Sequence, residues 1–145
     1  MPGDSQRENA FRKMLAREAG ANADASVVAA AARRLSEQFA RELTPLIGAL
    51  GVGAIYARSL HLAQRQCSGL MPVSAPHEDG EDPISRAQHF IAHQEPHVAI
   101  DLAGAMLASA VELLASFIGE GLTASLLRKA WPDDFARSST EDNTR

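Results

Sequence analysis

Hydrophobic residues recur along this chain at steps of three and four, the period of an amphipathic α-helix. The clearest series starts after two capping candidates, Asp24 and Ser26, and comprises Val28, Ala31, Leu35, Phe39, Leu43 and Leu46. Weaker or shorter series predict further helices over residues 52–67, 84–95, 97–118 and 122–131. β-Branched runs are few and aromatic residues make up only 5% of the chain. We therefore predict an all-α bundle of four to five helices.

Two corners of the chain resemble each other. In each, an apolar pair and a glycine (Gly48 or Gly119) close a long helix, and a shorter helix follows at once. With a gap of one residue after the glycine, Arg58 in the first corner matches Arg128 in the second. Glycine ends a helix in a left-handed conformation without a Cβ penalty. The similarity predicts two pseudo-repeated helical hairpins.

The predicted bundle spans residues 24–131, with less regular segments at its ends and in its middle. Residues 1–23 are mostly charged and hold one apolar patch, Phe11, Met14 and Leu15, so they predict a flexible or weakly helical arm, or one that docks on a partner. Residues 68–83 are rich in turn formers and predict a flexible acidic linker. Residues 132–145 are polar and predict a disordered tail.

Composition and charge narrow the possible functions of this 145-residue chain. Its net charge of −4 arises from the linker, and the neutral remainder has no basic stripe that would favour nucleic acid. The single cysteine and the absence of a secretory signal pattern predict a cytoplasmic protein. Two acids in the apolar stretch 97–118 argue against a membrane span. No cofactor motif is recognisable.

A stripe of small and acidic residues runs along the apolar helix 97–118. It contains Asp101, Gly104, Ala108 and Glu112, while the larger apolar residues of this helix, including Phe117, are predicted to face the core. The acids either mark a solvated edge, or the stripe is a close helix contact in which Arg58 or Arg128 pairs with them. Trp131 is predicted to close the core, or to anchor a partner if it is exposed.

His61 lies in the run Ser-Leu-His-Leu-Ala-Gln-Arg, which ends at Arg65. The run resembles the phosphorylated helix of histidine phosphotransfer modules, in which an exposed histidine has a basic residue nearby. Two positions depart from that pattern: Gln64 stands where such modules carry lysine, and Arg65 stands where they carry glycine. The resemblance covers fewer than ten residues and implies a signalling bundle that uses His61 and Arg65.

His89 and His93 are four residues apart and predict two imidazoles on one helical face, a spacing that metal ions use. A third ligand is missing because Pro96 separates His97 from this face. The pair therefore indicates either a solvated surface or a metal or small-ligand site.

No combination of nucleophile, acid and base is recognisable in the sequence. The alanine-rich helices offer self-complementary faces, and the linker and tail are able to order on a partner. We therefore expect a non-enzymatic regulatory or adaptor protein that binds another protein and forms a homo-oligomer. Phosphotransfer through His61 and ligand binding through His89 and His93 are the alternatives.

Overall fold

The fold is an all-α bundle, as predicted. A computed structural model describes residues 2–71, 82–132 and 134–135, with side chains from residue 6 onwards. Within these residues five helices follow one another and no strand occurs. They are α1 (Pro2–Ala19), α2 (Ala25–Gln66), α3 (Pro83–Ala92), α4 (Pro96–Ile118) and α5 (Glu120–Ala130).

Helix α2 consists of two arms joined at Gly48. Asp24 caps the first arm by accepting a hydrogen bond from the Val27 backbone N–H at 3.1 Å. Gly48 interrupts the helix with φ 81° and ψ 162°. The buried Tyr56 hydroxyl of the second arm donates to the Ser36 carbonyl of the first arm at 3.4 Å. The predicted corner therefore exists and is fixed by a contact between its arms.

The second corner has the same backbone geometry. Gly119 joins α4 to α5 with φ 92° and ψ 160°. Both glycines have positive φ, as predicted, but their extended ψ differs from that of the left-handed helical conformation. This region of φ and ψ is accessible almost only to glycine. The two corners are thus equivalent in conformation as well as in sequence.

We divide the bundle into two halves, of which the first consists of α1 and α2 and the second consists of α3, α4 and α5. The two halves bury equivalent positions. Two residues that are as far apart in the sequence as Gly48 and Gly119 occupy equivalent positions in the halves. In several such pairs both residues are buried: Val28 and Ala99, Leu35 and Met106, Leu43 and Leu114, Ile55 and Leu126, and Tyr56 and Leu127. This register needs no gap after the glycines. The gap in the sequence alignment is therefore a misalignment, and Arg58 corresponds to Lys129 instead of Arg128.

The first helix of each half, α1 or α3, packs mainly on the long helix of the other half. The main contacts join α2 to α4, α2 to α3 and α1 to α4. Arg33 of α2 donates to Gln88 of α3 at 2.8 Å where these two helices meet. The result is a pseudo-symmetric core around α2 and α4.

Helix α1 differs from the flexible or weakly helical arm expected for residues 1–23. It is an 18-residue helix whose Phe11, Met14 and Leu15 are buried in the main core. Phe11 contacts Trp131 edge-on, with ring centroids 5.3 Å apart. Packing against the rest of the bundle stabilises a helix that three apolar residues would not hold in isolation.

The predicted linker and tail lie largely outside the described residues. Residues 72–81 of the predicted linker and residues 136–145 of the predicted tail are not among the described residues. At the edges of these segments, Asp82 caps α3 by accepting from the Ser85 N–H at 2.7 Å. Phe135 packs on Trp131 at a centroid distance of 5.9 Å, so the core extends beyond residue 132.

Among the described residues, two helices are long and apolar enough to cross a membrane when judged by length and composition alone. In α4, 72% of the apolar window is buried within the bundle, and in α2 the share is 33%. The core of a soluble protein satisfies the same criterion, so these helices are weak indicators of a membrane protein.

The corner glycines give a direct test of the fold. Gly48→Ala adds no steric clash, because no atom lies within 4 Å of the new Cβ. It forces a non-glycine residue into a strained conformation, and we expect it to lower the free energy of unfolding by about 1–3 kcal/mol. Denaturant unfolding of the full chain measures this change.

Gly121→Ala is the matched control, because its Cβ also meets nothing within 4 Å and its backbone φ is not positive. Alanine there should leave stability unchanged or raise it by up to about 1 kcal/mol. Equal effects of the two substitutions would contradict the corner geometry.

Candidate functional site

The stripe of small residues on α4 is covered by α1 of the same chain. A Cβ added at Gly104 would lie 2.9 Å from Arg12 Cγ and 3.4 Å from the Glu8 carbonyl oxygen, so the two helices touch at this glycine. Ala108 is also buried. The close helix contact expected for the stripe therefore forms within the monomer, and this part of α4 offers no free surface to a second copy.

The acids of the stripe pair with arginines of α1. Arg12 lies 3.8 Å from Asp101, and Arg7 bonds to both Glu112 and Glu120. Burial lowers the pKa of Arg7, but its hydrogen bond to Glu120 and the charge of Glu112 outweigh that effect and raise the pKa overall. Arg7 and Arg12 thus occupy the role that the sequence analysis gave to Arg58 or Arg128.

Arg58 lies instead in an apolar groove between the two corners. The groove has a volume of about 620 Å³ and is lined by Ile47, Gly51, Ala54, Ile55, Arg58, Leu113 and Phe117. Ile47 at the end of the first arm of α2 and the second arm of α2 form one side, and Leu113 and Phe117 of α4 form the other. Arg58 is the one charged residue in the lining.

Large apolar side chains are exposed at the two corners, and one of them, Phe117, also lines this groove. Leu50 is 92% exposed and Phe117 is 73% exposed, while Leu46 and Leu122 are about half exposed. All four lie within three residues of a corner glycine. We name the groove residues together with Leu46, Leu50 and Leu122 the corner surface. Contiguous exposed apolar surfaces commonly mark binding sites.

This surface differs from the sequence prediction, which places Phe117 in the core and Leu46 on the apolar face of its helix. Helical periodicity identifies one apolar face but does not show where the core ends along the helix. Both residues lie in the last turn before a glycine, and their position next to a corner was the available signal. The structure corrects their placement to the surface.

Trp131 is in the core and 4% exposed. Its ring stacks on Phe39 at a centroid distance of 5.1 Å. Trp131 is therefore not an exposed anchor for a partner. It closes the core, which is the other position that the sequence predicts. Arg128, in the preceding turn of α5, is half-buried.

His89 and His93 lie side by side, with ring centroids 4.5 Å apart. His93 Nδ1 is 2.8 Å from the His89 carbonyl oxygen, which accepts its hydrogen. Across the described part of the chain, no group of three or more histidine, cysteine, aspartate or glutamate side chains is placed to hold a metal ion. The structure thus places side by side the two imidazoles that the metal hypothesis requires, and within the described residues it places no third ligand beside them.

The structure brings His61 and His89 together in one recess between α2 and α3. The histidine recess is lined by Ala57, Leu60, His61, Gln64, Arg86, His89 and Phe90, and its volume is about 320 Å³. Arg65, the predicted companion of His61, is exposed and outside this lining. Arg86 of α3 lines the recess instead, and no local sequence pattern predicts that it lies near His61.

Cys67 lies in a polar recess with Glu8, Arg12 and Asp101. Burial raises the pKa of its thiol, and the charges of Asp101 and Glu8 raise it further, while Arg12 opposes them. Because the thiolate is the nucleophilic form, this environment disfavours reaction at Cys67.

Comparison with known proteins gives no relative. No protein-family model matches the chain, and no curated protein or solved structure matches it significantly.

The buried stripe predicts how a larger residue acts at Ala108, which is 3% exposed. Ala108→Leu should lower the free energy of unfolding by about 1–3 kcal/mol, because extra methylene groups in a packed core force side chains out of place. Denaturant unfolding measures the stability, and sedimentation measures the mass of the folded variant.

Ala16→Leu is the control, because Ala16 is exposed on α1. It should change stability by at most about 0.5 kcal/mol. A normally stable Ala108→Leu variant that loses only self-association would show that the stripe is an intermolecular contact after all.

Proposed function

We propose that this chain is a non-enzymatic regulatory or adaptor protein that acts by binding protein chains, and that the corner surface is its binding site. The single observation that carries the proposal is the exposure of Phe117, which lines an apolar groove, together with that of Leu50 at the Gly48 corner. Leaving such side chains in water forgoes about 1.5–3 kcal/mol each relative to burial. A partner that covers them recovers that free energy.

The lining of the groove favours binding over catalysis. Arg58 is its only titratable side chain, and the other lining residues are glycine, alanine, isoleucine, leucine and phenylalanine. These side chains carry no nucleophile and no general base. They provide the apolar centre with one cationic residue that is typical of protein interfaces.

A second copy of the chain is the partner that we propose first. The corner surface combines an exposed ring, Phe117, with a groove whose lining includes the small residues Gly51 and Ala54. In a two-fold dimer the same patch meets itself, so a ring and a hollow on one surface fit each other twice.

Sedimentation velocity over a range of protein concentrations tests this function. We expect the wild-type chain to form a dimer, and Phe117→Ser to weaken the dimer by about tenfold or more, because a buried phenylalanine contributes about 1.5–3 kcal/mol. The variant should retain the unfolding stability of the wild-type monomer, since the ring is 73% exposed.

Val27→Ser is the matched control. Val27 is 41% exposed at the start of α2, away from both corners, and its substitution should leave the dimer intact. A wild-type chain that stays monomeric at about 100 μM, or equal weakening by the two variants, would contradict self-association through the corner surface.

A further inference from the structure

The two histidines of α3 lie on the side of this helix that is turned away from the core. Ala87 and Ile91 are buried and hold α3 against the rest of the bundle. His89 and His93 each follow one of them by two residues, which is about 200° further round the helix. His89 is half-buried and His93 is exposed. Both imidazoles thus lie on the outer side of a helix that its buried face holds in place.

The spacing of the two rings matches the binding of a single metal ion. Their centroids are 4.5 Å apart. An imidazole nitrogen binds Zn²⁺ at about 2.0–2.1 Å, so two rings in neighbouring coordination positions of one ion have centroids about 4–5 Å apart. The observed separation falls within this range, so both rings can bind one ion without a movement of the backbone.

A hydrogen bond orients His93 for metal binding. Its Nδ1 lies 2.8 Å from the His89 carbonyl oxygen, which is able only to accept a hydrogen bond. The proton of the neutral ring is therefore on Nδ1, and the lone pair is on Nε2. Metal-binding histidines commonly donate the other ring N–H to such an acceptor, which fixes the ring and raises its basicity. The backbone of α3 supplies that acceptor here.

The pair also lies at the end of α3 that favours positive charge. Helix α3 ends at Ala92, and His93 is its C-cap. The last backbone carbonyl groups of a helix carry partial negative charge and stabilise a cation placed within the final turn. An ion held by His89 and His93 lies beside this turn, so the helix terminus adds to its binding.

We propose that His89 and His93 bind one divalent transition-metal ion, with Nε2 of His93 as one of its two protein ligands. Imidazole binds Cu²⁺, Ni²⁺ and Zn²⁺ well, and Cu²⁺ forms the most stable complexes of the three, whereas Mg²⁺ prefers oxygen ligands. Two protein ligands leave the other coordination positions to water. Neither histidine belongs to the corner surface, so the inference does not depend on the proposed protein-binding function.

The test uses Cu²⁺ as the probe and the full chain without a histidine tag as the protein. Titration calorimetry at about pH 7.5, above the usual pKa of histidine, measures the affinity for Cu²⁺, Zn²⁺ and Mg²⁺. We expect one Cu²⁺ ion per chain, weaker binding of Zn²⁺ and no binding of Mg²⁺. Electron spin echo spectroscopy of the Cu²⁺ complex counts the coordinated imidazoles, and we expect two.

His89→Gln and His93→Gln each remove one of the two ligands. We expect either substitution to lower the Cu²⁺ affinity by about tenfold or more, because the second imidazole binds at a high effective concentration once the first has bound. The spin echo spectrum of either variant should report one imidazole. His97→Gln is the matched control, because His97 is exposed beyond Pro96 and outside the pair. It should leave the affinity and the spectrum unchanged, and so should His61→Gln.

Three outcomes would overturn the proposal. Equal losses of affinity for His93→Gln and His97→Gln would show that Cu²⁺ binds to surface histidines in general. A single coordinated imidazole in the wild-type complex would show that the two rings do not share an ion. No binding of Cu²⁺ by the wild-type chain, with its helices confirmed by circular dichroism, would remove the site itself.

Discussion

The positive φ of Gly48 and Gly119 is the constraint on which this structure depends. Each glycine lets a long helix end and a return helix start with no intervening loop. Because the two backbones share one conformation, the two return helices leave their long helices in the same way. The corners then lie beside each other, as the groove between Ile47 and Phe117 shows.

This arrangement explains why α4 carries small residues. Its partner α1 comes from the other half of the chain and approaches closely enough to contact Gly104. Larger residues at that crossing would push the helices apart, whereas small ones permit close packing. The arginines of α1 then reach Asp101 and Glu112 at the edge of the contact. Surface ion pairs add at most about 1 kcal/mol each, so packing dominates this contact.

The sequence predicted the helices and both corners because apolar periodicity and glycine position are local signals. It did not predict that α1 belongs to the core, since the burial of Phe11 depends on Trp131, which is distant in the sequence. The sequence also did not predict that His61 and Arg86 line one recess, because their proximity arises from the packing of α3 on α2. Phe117 was wrongly predicted to be buried, because periodicity identifies the apolar face of a helix but not how deeply each turn of that helix is buried.

The two glycine corners lie together and leave Phe117 exposed at the groove. Nuclear Overhauser effects in the full chain test this arrangement most directly, because they report proton distances in solution. We predict contacts from the Phe117 ring to the methyl groups of Ile47 and Ala54. A chain with all its helices formed but with no such contacts would show that the two corners do not lie together.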